Sequence, residues 1–220
     1  MNRSVVSMSI YGKDPVYLSG ALANVELAPV IYPGWDVIVW ADRDVPRKTL
    51  NALRDSCDLK MPLERVTMFT RFLVNDIPDV DRYIVRDADS RLNEREAKAV
   101  QEWIESGKSA HVIRDHPGHK HPMMGGMWGA VKGAIPSMLT LMKDVNVESR
   151  EYMDDQRFLW EKVWPMIKGD CLQHDFCGQW TGARPFPAKM GDFRFIGERF
   201  SQDDEPNGYD WQKRINFLTT

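Results

Sequence analysis

Asp36 to Ala41 (DVIVWA) is an almost unbroken apolar run, and it restricts the fold more than any other stretch of the chain. A strand that is apolar on both faces belongs inside a parallel sheet covered by helices. Ser4 to Ile10 (SVVSMSI) reads as an earlier strand, rich in β-branched and apolar residues and ended by Gly12. Between the two, Leu18, Leu22, Val25 and Ala28 recur at spacings of three and four, which predicts a helix over Tyr17 to Tyr32 stopped by Pro29, Pro33 and Gly34. Pro46 suits the first turn of a second helix carrying Leu50 and Leu53. This alternation predicts an α/β fold with a mixed, mainly parallel sheet flanked by helices, Rossmann-like, whose nucleotide-binding half comes first.

Further on, Arg82 to Arg91 (RYIVRDADSR) runs an apolar triplet into two aspartates one residue apart. If Tyr83 to Arg86 is a buried strand, Asp87 and Asp89 leave its end on the same face, because side chains alternate along a strand. Two carboxylates at the carboxyl edge of a sheet lie where open α/β folds bind ligands, and their oxygens suit Mg2+ or Mn2+. A solvated turn explains the pair equally well when it is taken alone. A helix follows, capped by Asn93 with Glu96 three residues on, striped by Ala97, Val100, Trp103 and Ile104, and closed by Gly107. Ser109 to Ile113 reads as another strand. The loop from Arg114 to Gly129, with four glycines and two prolines, is long enough to suggest function. The pattern then predicts a helix over Ala130 to Met142 interrupted at Pro136, and another over Tyr152 to Ile167 with Asp154 and Asp155 at its start. Short strand-like segments follow Gly169, and the chain is polar and irregular beyond Ser201.

A chain of 220 residues fits one domain over 1–220. No apolar run approaches the roughly 20 residues needed to cross a bilayer. The N-terminal MNRSVVSMSIYG lacks the apolar core of a secretory signal, and three cysteines cannot pair completely, so a cytoplasmic protein is expected. A net charge of −3 gives no global attraction to nucleic acid or to anionic membrane. Neither GxGxxG nor GxxxxGK[ST] occurs, which removes the main support for dehydrogenase and kinase readings.

The remaining constellations each admit two readings. His111, His116, His119 and His121 cluster around the long loop, as metal or phosphate contacts or as solvated residues. In CLQHDFC a strand would turn Cys171 and Cys177 one way and His174 the other, so one zinc could not take all three. His174 could instead complete a carboxylate-bound Mn2+ site. Gly125 and Gly126 allow close approach of backbone to a ligand, with Trp128 offering a flat face or simply filling the core. Asp155-Gln156 is an N-terminal helix pair, or a carboxylate and amide aimed at hydroxyls in a cleft.

Taken in order, FTRFLVNDIPDVDRYIVRDADSRL, the Gly-Gly-Met-Trp-Gly loop, MDDQRFLW and a late strand with His174 resemble GT-A type nucleotide-sugar glycosyltransferases, most closely the family 8, glycogenin-like retaining enzymes. The resemblance covers roughly Ser4 to Cys177 and implies a single domain over 1–220 with a nucleotide-binding half (1–90) and an acceptor half with a C-terminal tail (91–220). It implies a metal site for Mn2+ or Mg2+ on Asp87, Asp89 and His174, and a donor site over Asp87, Ala88, Asp89, Gly125, Gly126 and Lys189. It also implies catalytic roles for Asp155 and Gln156, a UDP-sugar as donor, and transfer with retention to an unidentified hydroxyl acceptor. Two features depart from the family: Arg86 stands where the family usually has an apolar residue, and the lysine segment after the histidine is matched only by Lys189 in FPAKMGD. Two other functions remain open at this point. One is a catalytically silent protein of this fold that binds a partner or glycan. The other is a phage-type enzyme acting on modified bases in DNA, with Arg82, Arg86, Arg91, Arg95 and Lys98 forming a basic groove.

Overall fold

The computed structural model describes residues 3–149, 151, 153–189 and 195–207. Seven strands form one sheet in the order β3-β2-β1-β4-β6-β5-β7. They are β1 (Arg3–Ile10), β2 (Asp36–Ala41), β3 (Asp58–Lys60), β4 (Val80–Arg86), β5 (Ala110–Arg114), β6 (Met127–Val131) and β7 (Cys171–Asp175). β1 pairs in parallel with β2 and β4, and β5 with β7, while β6 runs antiparallel to both of its neighbours. The expected mixed, mainly parallel sheet is therefore present, with β6 reversed.

Helices cover both faces, each with its own apolar core. On one face lie α1 (Pro15–Ile31), α2 (Arg47–Arg54) and α3 (Glu94–Ser106). Asp14 caps α1 by accepting from the Val16 amide, with Pro15 at the first turn, where its missing N–H leaves nothing unpaired. α1 continues past Pro29 to Ile31, so that proline does not end it as expected. Asn93 caps α3 through the Glu96 amide and Gly107, at φ 68, closes it, both as expected. The other face is covered by a 3-10 helix (Thr70–Asp76), the short α4 (Met138–Leu141) and a continuous helical stretch. That stretch comprises α5 (Asp154–Phe158), a π turn over Leu159–Val163 and α6 (Trp164–Ile167).

Two expectations around β6 are corrected. The loop after Arg114 ends at Met127 rather than Gly129, and residues 127–131 are strand, so no helix runs from Ala130 to Met142. Packing explains why: Met127 to Ala130 are buried, and a Cβ on Gly129 would lie 2.5 Å from the Tyr83 carbonyl oxygen on β4. Gly129 lets two strands approach closely, and the same glycines hide the strand pattern in the sequence. Trp128 is fully buried edge-on to Phe72 and Tyr83, so it fills the core rather than facing a ligand. Among the described residues no helix is long and apolar enough to cross a membrane.

Candidate active site

A cleft of about 450 Å³ opens at the carboxyl edge of the sheet. The end of β1 contributes Ser9 and Tyr11, and the end of β4 contributes Asp87, Ala88 and Asp89. The loop after β5 supplies His116 and His119, and Gly125 lies just ahead of β6. Met153, Asp155 and Gln156 enter from the start of α5, and Phe195, Gly197 and Arg199 close the far side. Seven of the expected site positions are thus gathered in or against one cleft: Asp87, Ala88, Asp89, Gly125, Gly126, Asp155 and Gln156.

The aspartates reach the cleft because the strand that precedes them is fixed on its other face. Arg86 turns away from Asp87 and is fully buried against Glu96 at 2.7 Å, and Tyr32 donates to the same carboxylate at 2.6 Å. Strand alternation therefore accounts for the departure at Arg86: it anchors β4 from behind while Asp87 and Asp89 face forward. The turn is held from α1 as well. Asn24, fully buried, donates to the Ser90 carbonyl at 2.8 Å and accepts from the Leu92 amide at 2.9 Å. A Cβ on Gly20 would meet the Ala88 carbonyl oxygen at 2.0 Å, so α1 packs directly on the turn.

Arg71, in the 3-10 helix, lies between the acids. Its guanidinium donates to Asp87 and, at 2.7 Å, to Asp155, which is itself buried and accepts from the Gln156 amide at 2.8 Å. Burial works against the charge on Arg71, and Asp87 and Asp155 outweigh it. Burial raises the Asp155 carboxyl above its ordinary range, with Arg71 pulling the other way. Asp89 is pushed up to about 6, first by burial and then by the charge of Asp87, while Arg199 and Arg71 oppose the shift. The Tyr17 phenol is pushed up to about 12 by burial and by the same two aspartates. The cleft floor thus has a surplus of negative charge that two arginines only partly offset.

The two glycines are required by a close approach within the protein itself. A Cβ on Gly125 would stand 2.6 Å from Asp155 Oδ2, and one on Gly126 2.3 Å from Asp87 Cγ. The backbone is pressed against the acids themselves. Arg71 and Arg199 were not legible as site residues, since an arginine in TRFLVND or GERF looks like any solvated charge. Arg199 belongs to a tail segment that is tied down at both ends: Ile196 donates to Asp115 at 3.0 Å and Phe200 donates to the Asp89 carbonyl at 2.9 Å.

His174 is not brought to the aspartates. It is fully buried on β7, with Nδ1 2.8 Å from His111 Nε2 and Nε2 3.1 Å from Glu102 Oε2, stacked on Phe186. Burial lowers its pKa, against the pull of Glu102, and lowers that of His111 further. Among the described residues no three His, Cys, Asp or Glu side chains are grouped as a metal site. Lys189 is exposed and does not line the cleft. Of the five cations expected to form a basic groove, three are paired with acids: Arg86 with Glu96, Arg91 with Asp204 and Arg95 with Asp115.

No protein-family model matches the chain, and no curated protein matches its sequence. Solved structures do match its fold. A glycosyltransferase involved in the glycosylation of the major capsid of PBCV-1 superposes with a TM-score of 0.51 at 16% identity, over 80% of this chain and 82% of that one. The glycosyltransferase GlyE of Streptococcus pneumoniae TIGR4 gives 0.49 at 13% identity, over 80% of this chain and 46% of that one. The mannosyltransferase PcManGT of Pyrobaculum calidifontis, solved with GDP-Man and Mn2+, gives 0.47 at 15% identity over 64% and 51%. The chain thus spans about half the length of the latter two. At these identities the likeness is one of fold alone, that of a mostly parallel α/β sheet.

Proposed function

We propose that this protein is a glycosyltransferase that moves a sugar from a nucleotide-sugar donor to a hydroxyl acceptor. The observation that carries this reading is the meeting of Asp87, Asp89, Asp155 and Gln156 with Arg71 and Arg199 in one cleft at the carboxyl edge of the sheet. The fold shared with the capsid glycosyltransferase supports it.

In this reading the nucleoside diphosphate lies along the ends of β1 and β4. Arg199 takes the place expected for Lys189 and neutralises the leaving phosphates, a role that charge-assisted hydrogen bonds suit. Asp87 and Asp89, whose carboxylate oxygens suit Mg2+ or Mn2+, would hold such an ion, and His174 would take no part. Such an ion, Mn2+ or Mg2+, would supply charge neutralisation for the departing diphosphate. As the glycosidic bond lengthens, the sugar carbon gains oxocarbenium character, and the Asp155 carboxylate and the Gln156 Oε1 are the groups that stabilise it. Gln156 Oε1 is buried in the cleft wall and has no hydrogen-bond partner among the described residues, as suits an acceptor waiting for a ligand. We assign the chain to the glycogenin-like family 8, with retention, on the order of its Asp-x-Asp, Gly-Gly and Asp-Gln motifs. The acceptor hydroxyl then arrives on the face that the diphosphate leaves.

Calorimetry with UDP-glucose, UDP-galactose and GDP-mannose, each with Mn2+ and with EDTA, is the direct test, followed by donor hydrolysis. Binding that needs both nucleotide sugar and metal, together with a loss of hydrolysis on the order of 100-fold or more in Asp155→Asn at unchanged melting temperature, is the expected result. A folded Asp155→Asn or Asp89→Ala protein with wild-type turnover would overturn the proposal. Binding of the donor with no turnover in the wild type would favour the silent binding protein instead.

A further inference from the structure

We propose that Met153 is a positioning residue: its thioether sorts the two ends of the Gln156 amide, holding Nε2 so that Oε1 is the end left without a partner beside the cleft. The inference rests on the function proposed above and adds a residue to it.

Three observations at adjoining positions carry it. Met153 is the N-cap of α5 but makes no side-chain bond to the helix backbone, the usual task of that position. Its Sδ instead accepts from Gln156 Nε2 at 3.4 Å, three residues on. Second, Met153 has φ 78, one of two non-glycine residues in the left-handed region among those described. A side chain is held there only when its surroundings demand it, and such residues gather at functional sites. Third, Gln156 Oε1 is left buried and unpartnered in the cleft wall.

The chemistry joins the three. A thioether sulfur accepts and cannot donate, whereas an amide has one end of each kind. Against Met153 the amide can place only its NH2, and the oxygen must then point the other way. The sulfur holds the NH2 end without adding charge to a cleft already rich in it. An oxygen left unpartnered beside the cleft suits an electron-poor sugar carbon or a donating hydroxyl, and an NH2 group would repel the first.

The test is a double-mutant cycle with an independent spectroscopic arm. Met153→Leu keeps the size and removes the acceptor; Gln156→Glu replaces the amide by a group with two accepting oxygens and nothing to sort. In the Gln156 background, Met153→Leu should lower the kcat of donor hydrolysis on the order of tenfold, about 1.4 kcal/mol, with donor KM within about twofold. In the Gln156→Glu background the same substitution should change kcat by less than about twofold. In the 15N–1H spectrum, Met153→Leu should shift the Gln156 side-chain amide pair and speed its exchange with water. Equal losses in both backgrounds, an unchanged kcat, or an unmoved amide pair would each overturn the proposal. A wild-type protein that turns over no nucleotide sugar would overturn the function instead, and the amide spectrum would still decide the role of Met153.

Discussion

Burial and the charge of Asp87 push the Asp89 carboxyl up to about 6, and the sign of that shift ties stability to function. The unfolded chain loses this proton near the ordinary carboxylate value while the folded protein still holds it. Asp89 therefore leaves stability untouched below about pH 4, lowers it as pH rises toward 6, and imposes its full penalty above that. Asp89→Asn should consequently raise the melting temperature at pH 7.5 by a few degrees, equivalent to about 1–3 kcal/mol, with the gain vanishing near pH 4. Calorimetric scans across that range check it; a variant less stable than wild type at pH 7.5 would contradict the electrostatic account. The acids at this scale were legible, because an Asp-x-Asp after an apolar triplet and an Asp-Gln at a helix start each have a local pattern. Arg71 and Arg199 have none. Their roles exist only where a 3-10 helix and a distant tail meet the acids. His174 misled for the matching reason: a lone histidine on a strand carries no sign of which layer it faces, and here it faces Glu102 on α3.

At the scale of elements, β4 and β6 have opposite tasks. β4 is anchored from behind by the buried Arg86–Glu96 pair, so Glu96→Ala should cost about 3–5 kcal/mol by leaving a buried guanidinium uncompensated. Denaturant unfolding measures that loss, and the surviving folded protein should bind donor nearly as well as wild type, because the pair lies on the far face of the strand. The turn into β6 behaves the other way. Gly126→Ala drives a methyl into Asp87, whose backbone nitrogen also lies 2.6 Å from the new Cβ, so neither side can yield freely. Donor affinity should fall by about tenfold or more while the sheet, held elsewhere, loses about 1–3 kcal/mol. Calorimetric titration with the donor separates the two effects. β1, β2 and β4 were readable from their apolar runs, and α3 from its caps. β6 was not, since Met127 to Val131 offers a tryptophan followed by glycine and alanine, which only the neighbouring strands identify as a core position.

At the scale of the whole molecule, the cleft is assembled from both ends of the chain, with the tail passing over the Asp89 turn and bringing Arg199 to it. Arg91 underpins that tail, with its guanidinium 4.8 Å from the Phe200 ring and 2.7 Å from Asp204. Arg199→Ala should weaken nucleoside diphosphate binding by roughly 1.5–3 kcal/mol, the range for hydrogen bonds to charged groups, with little change in melting temperature. Arg91→Ala should weaken binding and stability together, because it frees the segment that presents Arg199; titration and thermal scans on the two variants distinguish the cases. The sheet order has a further consequence for how the protein is made. β3, β2, β1 and β4 all come from residues before Asp87, so this half of the sheet can pair on the ribosome before the other half is translated. At ordinary elongation rates roughly 6 to 20 seconds separate the emergence of Asp87 from that of Arg199. Arg71 is synthesised ahead of both and lies against Asp87, so the nascent chain already carries a counter-ion for its first acid while the second cation is still unmade.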